Sequence, residues 1–150
     1  MTQLYKDGFM EAVVFLFFKG GKILVEIRPK GKGKEVFIPN GAVEQEDSEN
    51  GDYLIKAMNR EVEEEFQGNV TITKYEYLTS YKVNEIKINF HAFLVTEWKG
   101  NVPDFTVENG EKFADLKWIN LSDYRKHLEL PSAVHICQQL ETRLENSSDS

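Results

Sequence analysis

The sequence predicts an α/β fold in which a mixed β-sheet is covered by helices on both faces. Two kinds of segment predict it: apolar or alternating runs of strand length, and two longer segments whose apolar residues recur at helical spacing. Such strands form a sheet, and helices with one apolar stripe bury that stripe against it. The predicted strands cover residues 11–18, 22–28, 36–39, 71–81, 84–97 and 116–119, and the two longer helices begin after residue 52 and at residue 131.

The predicted strands differ in how they end and in which faces they bury. The first two join through the Lys19-Gly20-Gly21-Lys22 hairpin turn. The third turns sharply through Pro39-Asn40-Gly41. In the run 84–97, apolar and polar residues alternate until the second half is apolar on both faces. That half is expected to lie between two layers.

The two longer helices each carry one apolar stripe. Asp52 can cap the first, because its side chain can accept hydrogen bonds from the free N–H groups of the first turn. Gly68 is a suitable left-handed stop for the same helix. Pro131 begins the terminal helix, after a short helix capped by Ser122 or Asp123. The stripes consist of Leu54, Ile55, Met58, Val62 and Phe66 in the first helix and of Ala133, Val134, Ile136, Cys137, Leu140 and Leu144 in the last.

Length and composition favour one soluble domain over residues 1–150. A chain of 150 residues with 41% hydrophobic and 29% charged residues can bury a full core. The net charge of −7 argues against a nucleic-acid polymer as partner, since that surface needs clustered cations. The longest apolar run, 12–18, is too short to cross a membrane, and no secretory signal accompanies it. The single Cys137 cannot form an internal disulfide, so a cytoplasmic setting is expected, with homodimerisation left open.

The run Arg60-Glu61-Val62-Glu63-Glu64-Glu65 is the most informative segment of the chain. At about 100° per residue, Glu61, Glu64 and Glu65 fall on one helix face and Glu63 points elsewhere. Such a cluster must raise a pKa, splay apart or hold a metal ion. Oxygen ligands suit Mg²⁺ or Mn²⁺. The alternative is a solvated, charged helix face.

The order of strand end, glycine turn, acidic loop and acidic helix resembles the Nudix box, the signature of Nudix hydrolases. Gly41 is followed after five residues by Asp47, and the run 60–65 matches the helical half of the box without a gap. Two further runs, 23–28 and 115–119, look like the family's apolar strand ending in Arg and its late strand with Trp. The resemblance implies an α/β/α sandwich over about residues 8–145. It also implies hydrolysis of a diphosphate linkage in a nucleoside diphosphate derivative.

By the same resemblance, a divalent cation, Mg²⁺ or Mn²⁺, would be held by Glu61, Glu64, Glu65 and the Gly41 carbonyl. Glu61 and Glu64 would be catalytic, and Arg60 would pair with neighbouring carboxylates and orient them. The general base is left open. Among the carboxylates before the Trp strand, Glu111 is preferred because it lies in a glycine-containing loop that could swing toward the metal. The other candidates are Glu108, Asp115, Glu44 and Glu46.

The substrate is expected to be a small phosphorylated molecule of nucleotide type. The basic run 28–34 is either a solvated hairpin loop or a phosphate clamp. In the second case Arg28 and Lys34 would contact phosphate, and Phe37 would offer an aromatic face to a base. Phe17, Tyr75, Tyr77, Tyr81 and Phe90 are further aromatic candidates. The leading substrate is a nucleoside triphosphate or a damaged nucleotide, and the alternative function is a non-catalytic Nudix-fold module that binds a nucleotide.

The chain departs from the usual box at four points. Asp47 stands where Glu is usual, and twelve residues, not seven, separate it from Arg60, which lengthens the loop around 46–51. Asn40 replaces the first glycine of the common pair. Gln67 replaces the closing glycine, so the helix is expected to run one residue longer before Gly68. None of these changes removes a helix carboxylate.

Overall fold

The computed structural model describes residues 2–30, 33–49 and 51–148. Residues 31 and 32 of the predicted basic loop and residue 50 of the long loop therefore lie outside the described part of the chain. The strands are β1 (Tyr5–Lys6), β2 (Phe9–Lys19), β3 (Lys22–Lys30), β4 (Gly33–Phe37), β5 (Asn40–Ala42), β6 (Val70–Val83), β7 (Ile88–Gly100), β8 (Phe105–Glu108) and β9 (Glu111–Asn120). The helices are α1 (Tyr53–Glu65), α2 (Tyr124–His127) and α3 (Pro131–Ser148).

The strands form a mixed sheet with the order β6-β7-β2-β3-β9-β8. Strand β2 pairs in parallel with β7, from Met10 opposite Ile88 to Phe17 opposite Val95, and the other pairings in the sheet are antiparallel. Strand β5 pairs with the middle of β2, which places Gly41 opposite Val13. The turn predicted at residues 39–41 is therefore fixed against the central strand of the molecule.

Helices cover the sheet on both faces, which confirms the predicted α/β/α sandwich. Alternate residues of β2 point to opposite faces. Val13, Phe15 and Phe17 pack with Met58 and other apolar residues of α1, and the intervening Val14 and Leu16 pack in the cluster that contains α3. No helix within the described ranges is long and apolar enough to cross a bilayer.

Two strand predictions were wrong at the same hairpin. Strand β8 was not predicted, and β9 begins at Glu111, well before the predicted start. Asn109 and Gly110 both have positive φ, of 52° and 79°, as expected for an Asn-Gly hairpin turn. Glu108 consequently pairs with Glu111. The glycine-containing loop expected to swing toward the metal is a two-residue turn between paired strands.

The start of α1 is confirmed and its predicted end is wrong. The Asp52 side chain accepts hydrogen bonds from the backbone N–H of Leu54 and Ile55, at 3.0 and 3.4 Å. The helix ends at Glu65, and Gln67 adopts a φ of 57°. The Gln67 and Gly68 N–H groups donate to carbonyls of the last turn, at 3.4 and 2.9 Å, in the Schellman pattern. Gln67 thus occupies the left-handed position that glycine favours, and it does not extend the helix.

Candidate functional site

The three glutamates of the acidic face of α1 have different surroundings. The side chain of Glu64 is 55% exposed, that of Glu61 is 15% exposed, and Glu65 is buried at 3% exposure. Burial raises the pKa of Glu61 to about 7, against the opposing hydrogen bond from Arg60. Burial raises the pKa of Glu65 to about 10, and the neighbouring charges of Glu26 and Glu61 raise it further. The acidic face is therefore not a solvated surface, because two of its three carboxyls lie in the protein.

Gly41 allows the backbone of β5 to approach the acidic helix closely. A Cβ atom at Gly41 would overlap the carboxylate of Glu61. Any larger residue would push Glu61 away or separate β5 from α1. The glycine of the predicted turn and the first acid of the predicted helix are therefore brought into contact, although twenty positions separate them in the chain.

Arg60 links the acidic helix to the loop that precedes it. Its Nε and Nη2 donate to the two carboxylate oxygens of Asp47, at 3.2 and 2.8 Å, and Nη2 also donates to the Ala42 carbonyl at 3.0 Å. Nη1 donates to Glu61 Oε1 at 2.9 Å. Although burial opposes charge on both partners, the hydrogen bonds lower the pKa of Asp47 and raise that of Arg60. Asp47 therefore orients Arg60, which in turn orients Glu61.

Two further glutamates, Glu26 and Glu44, lie near the three of α1, and the five together are called the acid cluster below. Several of its buried carboxylate oxygens have no hydrogen-bond partner. They are Oε2 of Glu26, of Glu44 and of Glu65. A buried carboxylate oxygen without a partner loses its hydration without replacement, which is costly. A hard divalent cation would compensate these oxygens, so the donor set fits Mg²⁺ or Mn²⁺. Within residues 2–30, 33–49 and 51–148, no three acidic, histidine or cysteine side chains already converge in ligating geometry. Cation binding would therefore require the glutamate side chains to rotate.

A cavity of about 630 Å³ opens beside this cluster. Gly41 and Arg28 belong to its lining, and Phe37 and Phe90 contribute aromatic faces. The Arg28 guanidinium lies 4.1 Å from the centre of the Phe37 ring, and its Nε donates to Glu26 Oε1. The cavity therefore has an oriented cation in its wall and mostly apolar surroundings, as small-molecule sites usually do.

No protein-family model and no curated protein matches the chain, whereas many solved structures do. A MutT structure from work on Aliivibrio salmonicida and Vibrio cholerae has a TM-score of 0.64 and 24% identity, over 86% of this chain and 97% of that one. A NUDIX hydrolase from Nitrosomonas europaea has a TM-score of 0.64 and 17% identity, over 88% of each chain. The NUDIX domain of Shewanella oneidensis NrtR, in complex with ADP ribose, has a TM-score of 0.65 and 15% identity, over 93% of this chain and 90% of that one. The chain has the Nudix fold.

On this Nudix fold, the residues predicted to bind substrate do not all come together. Arg28 and Phe37 line the large cavity. Lys34 instead lines a smaller cavity of about 290 Å³ with Lys112 and Asp115, and Lys112 Nζ lies 2.8 Å from Asp115 Oδ1. Because residues alternate along β4, Lys34 and Phe37 point to opposite faces. The expected clamp is therefore divided between two cavities.

The remaining aromatic and acidic candidates also lie in different parts of the structure. Tyr81 and Phe90 line the large cavity of the Nudix fold, whereas Phe17 is fully buried in the core on the α1 face. Glu108 and Glu111 pair with each other across the hairpin. The negative charge of Glu108 raises the pKa values of Glu26 and Glu65. Glu108 therefore lies nearer the acid cluster than the preferred Glu111 does.

Glu26, a central member of the acid cluster, was not among the residues predicted from the sequence. It has no exposed surface, and burial raises its pKa against the opposing charge of Arg28. Its signal in the sequence was a single acid inside the apolar strand Ile23-Leu24-Val25-Glu26-Ile27. A charged residue in such a run is rarely fully buried without a partner. That rule would have marked Glu26 for attention.

Proposed function

We propose that the protein is a Mg²⁺- or Mn²⁺-dependent hydrolase that cleaves a diphosphate linkage in a nucleoside diphosphate derivative. One observation carries the proposal: α1 of a Nudix fold holds Glu61 against Gly41 and Glu65 with a buried, unpartnered oxygen, beside a cavity whose lining includes Gly41 and Arg28. The leading substrate remains a nucleoside triphosphate or a damaged nucleotide. The similarity to MutT and to a NUDIX hydrolase supports this class of reaction.

The cation would be held by Glu61, Glu64, Glu65 and the Gly41 carbonyl. When bound, it supplies positive charge to the polyphosphate oxygens and so favours attack by water. Glu64 is exposed and forms only a longer ion pair with Arg60, at 3.6 Å, whereas Glu61 accepts a hydrogen bond from Arg60 at 2.9 Å. The rigid part of the site therefore comes from the hydrogen bonds of Arg60, and the adjustable part comes from Glu64.

The wall of the cavity would hold the substrate. Arg28 is kept in place by Glu26 and by the rings of Phe37 and Phe113, at 4.1 and 5.1 Å. A guanidinium fixed in this way can donate two hydrogen bonds to one phosphate group with a smaller loss of side-chain entropy than a mobile one. Phe37 and Phe90 would then pack against the apolar part of the ligand. Lys34 would contribute only if the substrate also reached the smaller cavity.

A carboxylate near the cavity would accept the proton of the attacking water. Glu61 is a candidate for this task because it lies on the acidic face, in contact with the Gly41 turn. Glu64 is a second candidate for the same task, because it is exposed and lies on the same helix face as Glu61. Glu111, the original candidate, lies at the start of a paired strand, and Glu108 is the closer of the two to the cluster.

The experiment is a panel of nucleotides incubated with Mg²⁺, with released phosphate and pyrophosphate measured. We expect turnover of at least one nucleoside diphosphate derivative by the wild-type protein. Glu64→Gln is expected to lose about two orders of magnitude of activity, as is typical for the loss of a group that stabilises developing charge. Glu63→Gln is the matched control, because Glu63 precedes it on the same helix but faces elsewhere. Equal activity of the two variants would refute the assigned site.

A second candidate is a module that binds a nucleotide without cleaving it. The similarity to the NUDIX domain of NrtR, which was solved with ADP ribose, favours this alternative. In that case the panel would show no turnover with Mg²⁺ or Mn²⁺. Calorimetric titration would still detect tight binding of a nucleotide, and Arg28→Gln would weaken it.

A further inference from the structure

Strand β3 places a carboxylate in the interior of the protein, opposite helix α1. Glu26 lies on the same strand face as Leu24, which packs in the core cluster under α1. Its exposed fraction is 0%. An ionised carboxylate at such a position must be compensated by a cation or by several hydrogen bonds. The partners of its two oxygens therefore show what the residue does.

The two oxygens of Glu26 are not equivalent. Oε1 accepts a hydrogen bond from Arg28 Nε, whereas Oε2 is buried and has no partner. Glu65 presents a second buried oxygen without a partner from the facing helix. Arg28 is a cation near both groups, and its hydrogen bond goes to Glu26 Oε1 and not to either of the two unpartnered oxygens. One positive charge therefore faces two buried carboxyls.

We propose that Glu26 is an additional ligand of the divalent cation, which this chain would hold between strand β3 and helix α1. The inference rests on the proposed function, because it assumes that the cation site exists. A carboxylate oxygen is a suitable ligand for Mg²⁺ or Mn²⁺, and the free Oε2 of Glu26 is available for it. The other oxygen would keep its hydrogen bond to Arg28. Glu26 would thus connect the cation to the guanidinium that faces the substrate.

A simpler role for Glu26 would be to hold Arg28 in position. The two roles predict different behaviour in the absence of nucleotide. If Glu26 only positions Arg28, its removal does not change the affinity for a metal ion alone. If Glu26 is a ligand, its removal weakens metal binding, whereas removal of Arg28 leaves that binding unchanged or strengthens it, because a competing cation is lost.

The test is a titration of the whole protein with Mn²⁺ alone, followed by electron paramagnetic resonance of the free ion. The variants are Glu26→Gln, Glu26→Asp, Arg28→Gln and Glu65→Gln, with Glu97→Gln as the surface control near Lys74. We expect Glu26→Gln to raise the Kd for Mn²⁺ at least about tenfold, as loss of a charged ligand should. Glu26→Asp, which keeps the charge, should lose less. Glu97→Gln and Arg28→Gln should not weaken binding, and circular dichroism should show that every variant is folded.

Three results would overturn the inference, and they differ in what else they affect. If Glu26→Gln binds Mn²⁺ as the wild type does while Glu65→Gln does not, Glu26 is not a ligand and the proposed function stands. If Arg28→Gln weakens binding as much as Glu26→Gln, Glu26 acts only through Arg28. If the wild-type protein binds no Mn²⁺ at millimolar concentration, the cation-dependent function fails together with the inference.

Discussion

Two buried glutamates on the same face of the sheet, Glu11 and Glu26, have opposite hydrogen-bond environments. Glu11 is only 3% exposed, and both of its oxygens have partners. Oε1 accepts from the Tyr53 hydroxyl at 3.4 Å, and Oε2 accepts from Asn89 Nδ2 at 3.0 Å and lies 3.1 Å from His91 Nε2. Its neighbours therefore replace the water that it loses on folding.

Glu26 and the facing Glu65 lack this compensation, since each retains a buried oxygen without a partner. The difference separates two uses of a buried acid. A fully hydrogen-bonded carboxylate such as Glu11 contributes to the fold, whereas an incompletely bonded pair fits a cation that the chain itself does not supply. Substitutions in the two regions should therefore have different effects on activity and on stability.

The largest expected difference is in catalysis. Glu65→Gln should lower kcat/KM for the best nucleotide substrate by about two to three orders of magnitude, because a proposed ligand of the cation would be lost. Glu11→Gln should stay within about threefold of the wild type, because Glu11 lies outside the cavity lining. Steady-state kinetics at saturating Mg²⁺ measure both. Comparable losses in the two variants would remove the distinction between the regions.

The second expected difference is in the free energy of unfolding, which substitutions in the two regions should change in opposite directions. Without metal at pH 8, Glu11→Ala should lower the free energy of unfolding by about 1–3 kcal/mol, since Tyr53 and Asn89 lose their buried acceptor. Glu65→Gln should raise it by about 1–3 kcal/mol, because folding at this pH then no longer has to bury and protonate a carboxyl group whose pKa is raised. Urea denaturation in the presence of EDTA measures both values. A destabilised Glu65→Gln would mean that Glu65 already has its partners within the protein.

The acid cluster should also make the metal-free protein less stable at high pH. The pKa values of Glu61 and Glu65 are raised from 4.5 to about 7 and about 10 in the folded state. The folded state therefore binds more protons than the unfolded state above pH 4.5, and stability is lost as the pH rises through the folded pKa values. We expect stability to fall by several kcal/mol between pH 5 and 9, measured by urea denaturation in EDTA. Saturating Mg²⁺ should reduce this slope, and a slope of the opposite sign would contradict the account.

The smallest effect concerns the end of α1, which is independent of the cation. Gln67→Gly should stabilise the protein by about 0.5–1 kcal/mol, because Gln67 has a φ of 57° at a position that favours glycine. Thermal unfolding measures the change, and Glu63→Gln on the adjacent turn is a surface control. Metal affinity should not change. If Gln67→Gly altered Mn²⁺ binding, the helix end and the acid cluster would be coupled.

Local patterns were enough to predict the framework and the acidic helix. The cap at Asp52, the apolar stripe of α1 and the shared face of Glu61, Glu64 and Glu65 all follow from helical periodicity. The hairpin at Gly20 and Gly21 follows from turn chemistry. These features depend on residues within a few positions of one another, which the sequence displays directly.

The features that were missed depend on contacts between distant segments or on weak local signals. Nothing near Gly41 in the chain indicates that a Cβ there would meet Glu61, and nothing near Lys34 indicates that it faces a different cavity from Phe37. The four-residue β8 is too short for a clear alternation. Gln67 adopts a left-handed conformation because the helix ends there, against its own preference.

The central claim is that the buried carboxylates of β3 and α1 bind a divalent cation. Crystals soaked in Mn²⁺ and measured for anomalous scattering test it most directly. We expect an anomalous peak bound by oxygens of Glu26, Glu61, Glu64 and Glu65, at ligand distances of roughly 2.0–2.3 Å. No peak at saturating Mn²⁺, or peaks only at surface carboxylates such as Glu97, would contradict it.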